Sequence, residues 1–363
     1  MWEQIDHDRR RFVGATAMTL AGARLGVLGS ALEQLACAAR KLPGESELSS
    51  LTGANGWLNS EPLTAEALRG KVVLVDFCTY TCINWLRTLP YVRAWAEKYK
   101  SKGLVVIGAQ TPEFEFEHNI DSVRRAAKAM RVDYPIAIDN DYAIWRGFDN
   151  EYWPAAYYVD AQGRIRHHQF GEGSYDQQEK VIQRLLAAAG FSGFDRDLVS
   201  LDVGGIEQAA DWSTLRSNET YVGYARAENF ASPSGAVADQ ARAYTAPSAL
   251  RLNQWALVGN WTIGRQATVS NQGNGRIVMR FHARDLNFVM GPPPGGSPVR
   301  FRVLLDGKPP AASHGIDIDA QGNGTADYQR LYQLIRQPKP IDDRQFEIEF
   351  LAPGIETFVF TFG

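Results

Sequence analysis

Cysteine is scarce in this chain: three residues in 363, at positions 37, 78 and 82. That number rules out a disulfide framework, and the spacing lacks the four-ligand pattern of a structural zinc site. A basic surplus is missing too. Thirty-eight Lys and Arg against 41 Asp and Glu leave a formal charge of −3, too little positive charge to neutralise a phosphate backbone, so no nucleic-acid partner is expected. With 45% hydrophobic and 22% charged residues, the composition is that of a globular protein and not of several membrane spans. Nothing in the pattern calls for a cofactor or a metal. The length suggests two domains of roughly 150 residues each.

The N-terminus reads as an address. Arg9-Arg10-Arg11-Phe12-Val13 precede a weakly hydrophobic stretch rich in Ala and Gly, which resembles a twin-arginine export signal over residues 1–40. Export of this kind implies a periplasmic or other extracytoplasmic location. Cys37 falls among the small residues where cleavage is expected, and removal of the signal beyond it makes that cysteine irrelevant to function.

From residue 41 to 190 strands and helices alternate. An apolar run at 72–77 leads through a short polar loop into a helix over about 83–100. A second run at 104–107 is followed by a helix near 120–130, and this alternation predicts parallel pairing through right-handed crossovers. After Trp153-Pro154 come Ala155-Ala156-Tyr157-Tyr158-Val159, a turn at Gln162-Gly163, a returning strand to Phe170 and a last helix over about 175–189, the pattern of a hairpin and a closing helix. The order resembles the thioredoxin fold. Cys82 stands at the strand–loop–helix junction, Pro90 lies inside the helix and Pro154 opens the hairpin, where that fold carries a cis-proline. At such a junction the unpaired N–H groups and the helix dipole favour thiolate, the reacting species.

The string Asp76-Phe77-Cys78-Thr79-Tyr80-Thr81-Cys82-Ile83-Asn84-Trp85-Leu86-Arg87-Thr88-Leu89-Pro90, together with Thr111-Pro112-Glu113-Phe114-Glu115-Phe116-Glu117, resembles the redox domain of DipZ-type proteins, TlpA- and AhpC-like redoxins. Arg280-Phe281-His282-Ala283-Arg284-Asp285-Leu286 and Phe346-Glu347-Ile348-Glu349-Phe350 resemble that family's final domain. The resemblance implies a thiol–disulfide oxidoreductase whose partners are protein thiols and disulfides or an external thiol reductant. Full members of the family also have a membrane electron-transfer region, which is not expected here.

The chain departs from the family at the site itself: Cys78 stands where the family has tryptophan, and Trp85 where it has its second active-site cysteine. The usual C-x-x-C pair is absent, so dithiol cycling in the family's manner is excluded. Three readings follow. Cys78 replaces the lost partner in a C-x-x-x-C couple, subject to the roughly 7 Å limit on bridged Cα atoms. Alternatively, Cys82 acts alone as a monothiol exchanger or weak peroxidase, the latter echoed in Thr79-x-x-Cys82. In the third reading the redox role is lost, and a non-catalytic redoxin binds a glycan or protein partner. The catalytic candidates are therefore Cys82, Cys78 and Pro154. Tyr80, Trp85, Trp153 and Glu113 are candidate walls of a substrate groove, joined by Trp145. Glu113, Glu115 and Glu117 otherwise read as a solvated acidic loop.

Residues 191–218 read as a linker with a helical piece near 206–215. From 219 to 363 short alternating runs separated by Gly, Pro and Asn predict an all-β, jelly-roll-like sandwich, which in DipZ proteins resembles carbohydrate-binding modules. Tyr221, Tyr224, Trp255 and Trp261 are the candidate sugar-stacking rings, against the expectation that most such rings lie in the core. Asp317-Ile318-Asp319-Ala320-Gln321-Gly322-Asn323-Gly324 has the oxygen-rich start of a calcium loop, but Tyr328 occupies the twelfth position, which favours a turn.

Overall fold

The computed structural model describes residues 46–363; the export signal read at 1–40 lies outside them. The first part of the chain runs β1 (Gly56–Leu58), β2 (Val72–Cys78), α1 (Ile83–Tyr99), β3 (Leu104–Gln110), α2 (Ile120–Ala129), β4 (Ile136–Ile138), α3 (Ala143–Gly147), β5 (Ala155–Val159), β6 (Ile165–Phe170) and α4 (Tyr175–Ala188). Its sheet has the order β1-β4-β3-β2-β5-β6. β2 pairs in parallel with β3, and β3 with β4, while the β5–β6 hairpin lies antiparallel beside β2. This is the thioredoxin-like α/β fold.

β2 is buried along its whole length, which explains its nearly continuous apolar sequence: helices cover both faces of a parallel sheet. Val72, Leu74 and Cys78 point into the cluster that holds α1, α2 and α4 side chains. Val73, Val75 and Phe77 point into the opposite one, with α3. Asp76 belongs to the first face by the same alternation. α1 follows Cys82, its N-cap residue, whose backbone is extended, and carries Pro90 inside it.

The second part is all β: β7 (Thr220–Tyr221), β8 (Ala241–Tyr244), β9 (Trp255–Ile263), β10 (Thr268–Ser270), β11 (Gly275–Phe281), β12 (Asp285–Gly291), β13 (Val299–Leu305), β14 (Asn323–Ala326), β15 (Arg330–Arg336), β16 (Arg344–Phe350) and β17 (Glu356–Phe362). They form one curled antiparallel sheet, β14-β13-β16-β11-β9-β10-β17-β12-β15, with β7 beside β17 and β8 beside β9, folded as a jelly-roll-like sandwich. β9 turns the corner: its first residues pair with β11, and those from Gly259 onward pair with β8 and β10. Gly259 holds φ 96° there, a region closed to most side chains. Between the two leaves lie Trp255, Trp261, Met279, Phe281, Phe346 and the stacked pair Phe288 and Phe360, with ring centroids 3.8 Å apart.

Two expectations are corrected here. Trp255 and Trp261 are wholly enclosed in the sandwich core and Tyr221 is buried, so these rings present no face to a sugar; of the four candidates Tyr224 alone is exposed. The stretch near 206–215 forms only a one-turn 3-10 helix, Gly205–Glu207, because Gly204 and Gly205 disfavour helix nucleation and Gly205 is left-handed at φ 65°. The segment is held against both parts. Glu207 is paired with Arg93 of α1 at 2.7 Å, and the Gly205 carbonyl accepts from Arg336 of β15 at 2.9 Å. At the calcium-like segment, Asp319 accepts from the Gln321 and Asn323 N–H groups, and Asp317 is paired with Arg330 at 2.8 Å. It is a turn, as expected.

The outer face of the leaf containing β12, β15 and β17 does not meet solvent. Val289, Leu331, Phe358 and Val359 share a buried cluster with Phe114 and Phe116 of the redoxin part, and the Phe358 ring lies 5.1 and 4.8 Å from those two. Arg87 of α1 donates to the Phe362 carbonyl at 3.0 Å. The sandwich is thus docked on the end of the redoxin sheet that carries the cysteines.

Candidate thiol site at the start of helix α1

Cys78 ends β2, opposite Gln110 of β3. The residues 79–82 then turn back on themselves, the Cys82 N–H donating to the Thr79 carbonyl at 3.1 Å, and α1 starts. The two cysteines consequently have different surroundings. Cys78 is buried, with its sulfur 4.0 Å from Gln110 Oε1. It lines a small apolar cavity of about 10 Å³ with Tyr80, Trp85, Val123, Met130 and Tyr134. Cys82 is half-buried, and both thiols are free.

Burial pushes the Cys78 thiol far up, and the charges of Asp76 and Glu117 add to it. Cys82 is also pushed well up, first by burial and next by the Glu113 carboxylate, with Glu219 contributing in the same direction. The N–H groups of Trp85 and Asn84, at the opening of α1, act the other way, although the sulfur closes no capping hydrogen bond with them. At the Cys82 sulfur, burial and the two carboxylates thus oppose the N–H groups of the helix opening.

Beneath the cysteines lies a group that the apolar pattern of β2 conceals. Asp76 is 1% exposed, and burial lifts its carboxyl from 3.8 to about 7 against the opposing hydrogen bond from Trp85. The Trp85 Nε1–H donates to Asp76 Oδ2 at 2.9 Å. Trp85 is thus engaged with the buried acid. A single carboxylate within Val-Val-Leu-Val-Asp-Phe-Cys is the signal from which it could have been found.

The acidic loop is not solvated as a whole. Glu117 is fully enclosed: it accepts the Thr81 hydroxyl at 2.6 Å and the N–H groups of Glu113 and Phe114 at 2.7 and 2.9 Å, and burial raises its pKa. It ties the cysteine loop to the acidic loop. The Glu113 side chain accepts from Tyr221 Oη at 2.6 Å and Arg226 Nη1 at 2.9 Å, both from the sandwich. Glu115 remains at the surface.

The expected groove is therefore distributed differently. Tyr80 and Trp85 are buried beside Cys78 and do not wall an open cleft. Trp153 packs on Trp145, 4.3 Å between centroids, in the cluster on the other face of the sheet. Glu113 closes an interdomain ion pair. Pro154 is buried and follows a cis Trp153–Pro154 peptide bond.

The comparisons fit this architecture. Residues 50–168 match the AhpC/TSA family and residues 217–363 match the thioredoxin like C-terminal domain. Protein DipZ of Mycobacterium bovis is 37% identical over 264 residues, covering 71% of this chain and 36% of DipZ. The thiol-disulfide oxidoreductase YkuV of Bacillus subtilis is 31% identical over 137 residues, 38% of this chain and 92% of that protein. The solution structure of a thioredoxin-like protein in the oxidized form has 32% identity, covers 40% of this chain and 99% of that one, and has a TM-score of 0.37. Fold and site thus define a thioredoxin-like domain capped by a β-sandwich. The chain belongs to the DipZ-type thioredoxin-like proteins. It spans about a third of the length of the DipZ proteins it matches, and among its described residues no helix is long and apolar enough to cross a membrane.

Proposed function

We propose that the protein is an extracytoplasmic thiol–disulfide exchange protein that works through a single attacking thiol, Cys82. The observation that carries this reading is the contrast between the two sulfurs. Cys82 is half-buried at the mouth of α1, under the influence of the Asn84 and Trp85 N–H groups, whereas Cys78 is enclosed against Gln110 and an apolar cavity. Relatives named as thiol-disulfide oxidoreductases support the chemistry, and Arg9-Arg10-Arg11 supports the compartment.

In this scheme the Cys82 thiolate attacks one sulfur of a protein or small-molecule disulfide. A mixed disulfide forms at Cys82, and the other sulfur leaves as a thiolate that takes up a proton. An external thiol then attacks the mixed disulfide, becomes disulfide-bonded to the substrate sulfur and returns Cys82 as a thiol. The number of disulfides is conserved, and no second protein cysteine is required. Cys78 serves as packing, and Pro154 shapes the surface beside the site.

Exchange between a disulfide-bonded peptide and excess glutathione tests the scheme. Catalysis is expected in the wild type and in Cys78→Ser and is expected to vanish in Cys82→Ser. Equal loss in both variants would restore the C-x-x-x-C couple. Full activity in Cys82→Ser would remove the exchange function and leave the reading as a partner-binding redoxin, for which the packing of the sandwich's Phe358 on Phe114 and Phe116 of the redoxin part is the favouring observation.

A further inference from the structure

The sandwich contributes charge to the thiol site. Glu113 lies on the redoxin loop that Glu117 pins to Thr81, the residue next to Cys82. Its carboxylate is fixed from the other side by Tyr221 Oη at 2.6 Å and by Arg226 Nη1 at 2.9 Å. The Arg226 guanidinium lies 3.7 Å over the Tyr221 ring, which orients it for the pair, and the Tyr221 hydroxyl also reaches Glu219 at 3.1 Å. A hydrogen-bonded path therefore runs from the cysteine loop through Glu117 and Glu113 into the second domain. The charged groups acting on the Cys82 sulfur are the carboxylates Glu113 and Glu219. Among those acting on Glu113 are Arg226 and Glu117, with Tyr221 as a neutral donor. The adjoining backbone is held as well, since the Glu115 N–H donates to Gln266 of the sandwich at 3.0 Å.

We propose that Arg226 and Tyr221 are positioning residues of the thiol site: they hold Glu113, on the loop that Glu117 ties to Thr81, and offset its charge, so that the docked sandwich sets the reactivity of the attacking sulfur. The inference rests on the reading of Cys82 as the working thiol. It goes further in making two residues of the second domain, remote in sequence, part of that site. Loss of the Arg226 charge leaves the Glu113 carboxylate less compensated and disfavours thiolate. Loss of the Glu113 charge does the reverse.

The test is the pH profile of Cys82 alkylation by iodoacetamide in the full chain carrying Cys78→Ser. Arg226→Gln is expected to move the profile to higher pH by roughly half to one unit, slowing alkylation at pH 7 about three- to tenfold. Glu113→Gln is expected to move it to lower pH by a similar amount, and Arg226→Lys, which keeps the charge, to stay near the parent. A merely structural Arg226 would lower the melting temperature and leave the profile in place, and that result overturns the proposal. Where Arg226→Gln fails to fold, Glu113→Gln decides alone: an unmoved or alkaline-shifted profile overturns the proposal. Mixed-disulfide formation with glutathione, measured in parallel, separates the two claims. A shifted profile without exchange removes the proposed function and keeps the positioning role, and exchange with an unshifted profile does the opposite.

Discussion

Replacing Asp76 by Asn is expected to stabilise the protein increasingly as pH rises through the window set by its carboxyl, 3.8 to about 7. Asp76 is 1% exposed, and its carboxyl is raised from 3.8 to about 7. Between those values the folded state holds a proton that the unfolded state has released, so stability falls as pH rises through the window and levels off above the folded value. A raise of that size corresponds to about 4 kcal/mol at pH 8 relative to pH 4. Asparagine keeps an acceptor for the Trp85 Nε1–H, now 2.9 Å from the carboxylate, but never ionises. The assay is urea unfolding of both proteins followed by tryptophan fluorescence between pH 4 and 8. The stability difference between variant and wild type should grow toward pH 8 by about 4 kcal/mol, most of it between pH 5 and 7. A difference that does not change with pH, or a variant less stable at pH 8, would refute the argument.

Arg87 and Glu172 form a buried pair at 3.0 Å, and Arg87 also holds the Phe362 carbonyl. Arg87→Met strands the carboxylate and should cost about 3–5 kcal/mol in chemical denaturation, with part recovered by adding Glu172→Gln. At the β9 corner, Gly259→Ala forces a side chain onto φ 96° and should cost about 1–2 kcal/mol. Gly204→Ala, where the backbone is extended and a Cβ meets nothing within 4 Å, should be close to neutral in the same unfolding experiment.

Much of the redoxin part was legible because its signals are local. An apolar run, a cysteine at its end and a proline inside the next helix carry their meaning within twenty residues, and β2, α1 and the β5–β6 hairpin stand where that pattern puts them. Short elements escaped. β1 and β4 have three residues each, too few for a period to register, and they exist because they pair with each other. The site was legible in its sulfur and not in its surroundings. Trp85 read as a groove wall because an indole is large and amphipathic, yet its N–H turns inward to Asp76. Glu113 read as loop because the residues that bury it, Tyr221 and Arg226, lie more than a hundred positions away. The sandwich rings show the same limit: composition cannot tell a sugar-stacking Trp from a core Trp, and the curl of the sheet placed Trp255 and Trp261 inside.

The central claim is that one sulfur, Cys82, does the exchange. The most direct measurement is peptide mapping by mass spectrometry after the native protein has been treated with oxidised glutathione at neutral pH and quenched with acid. The account predicts a glutathione adduct on Cys82, removed by reductant, with Cys78 unmodified until the chain is denatured. An internal Cys78–Cys82 disulfide, or a Cys82 that reacts only after unfolding, would contradict it.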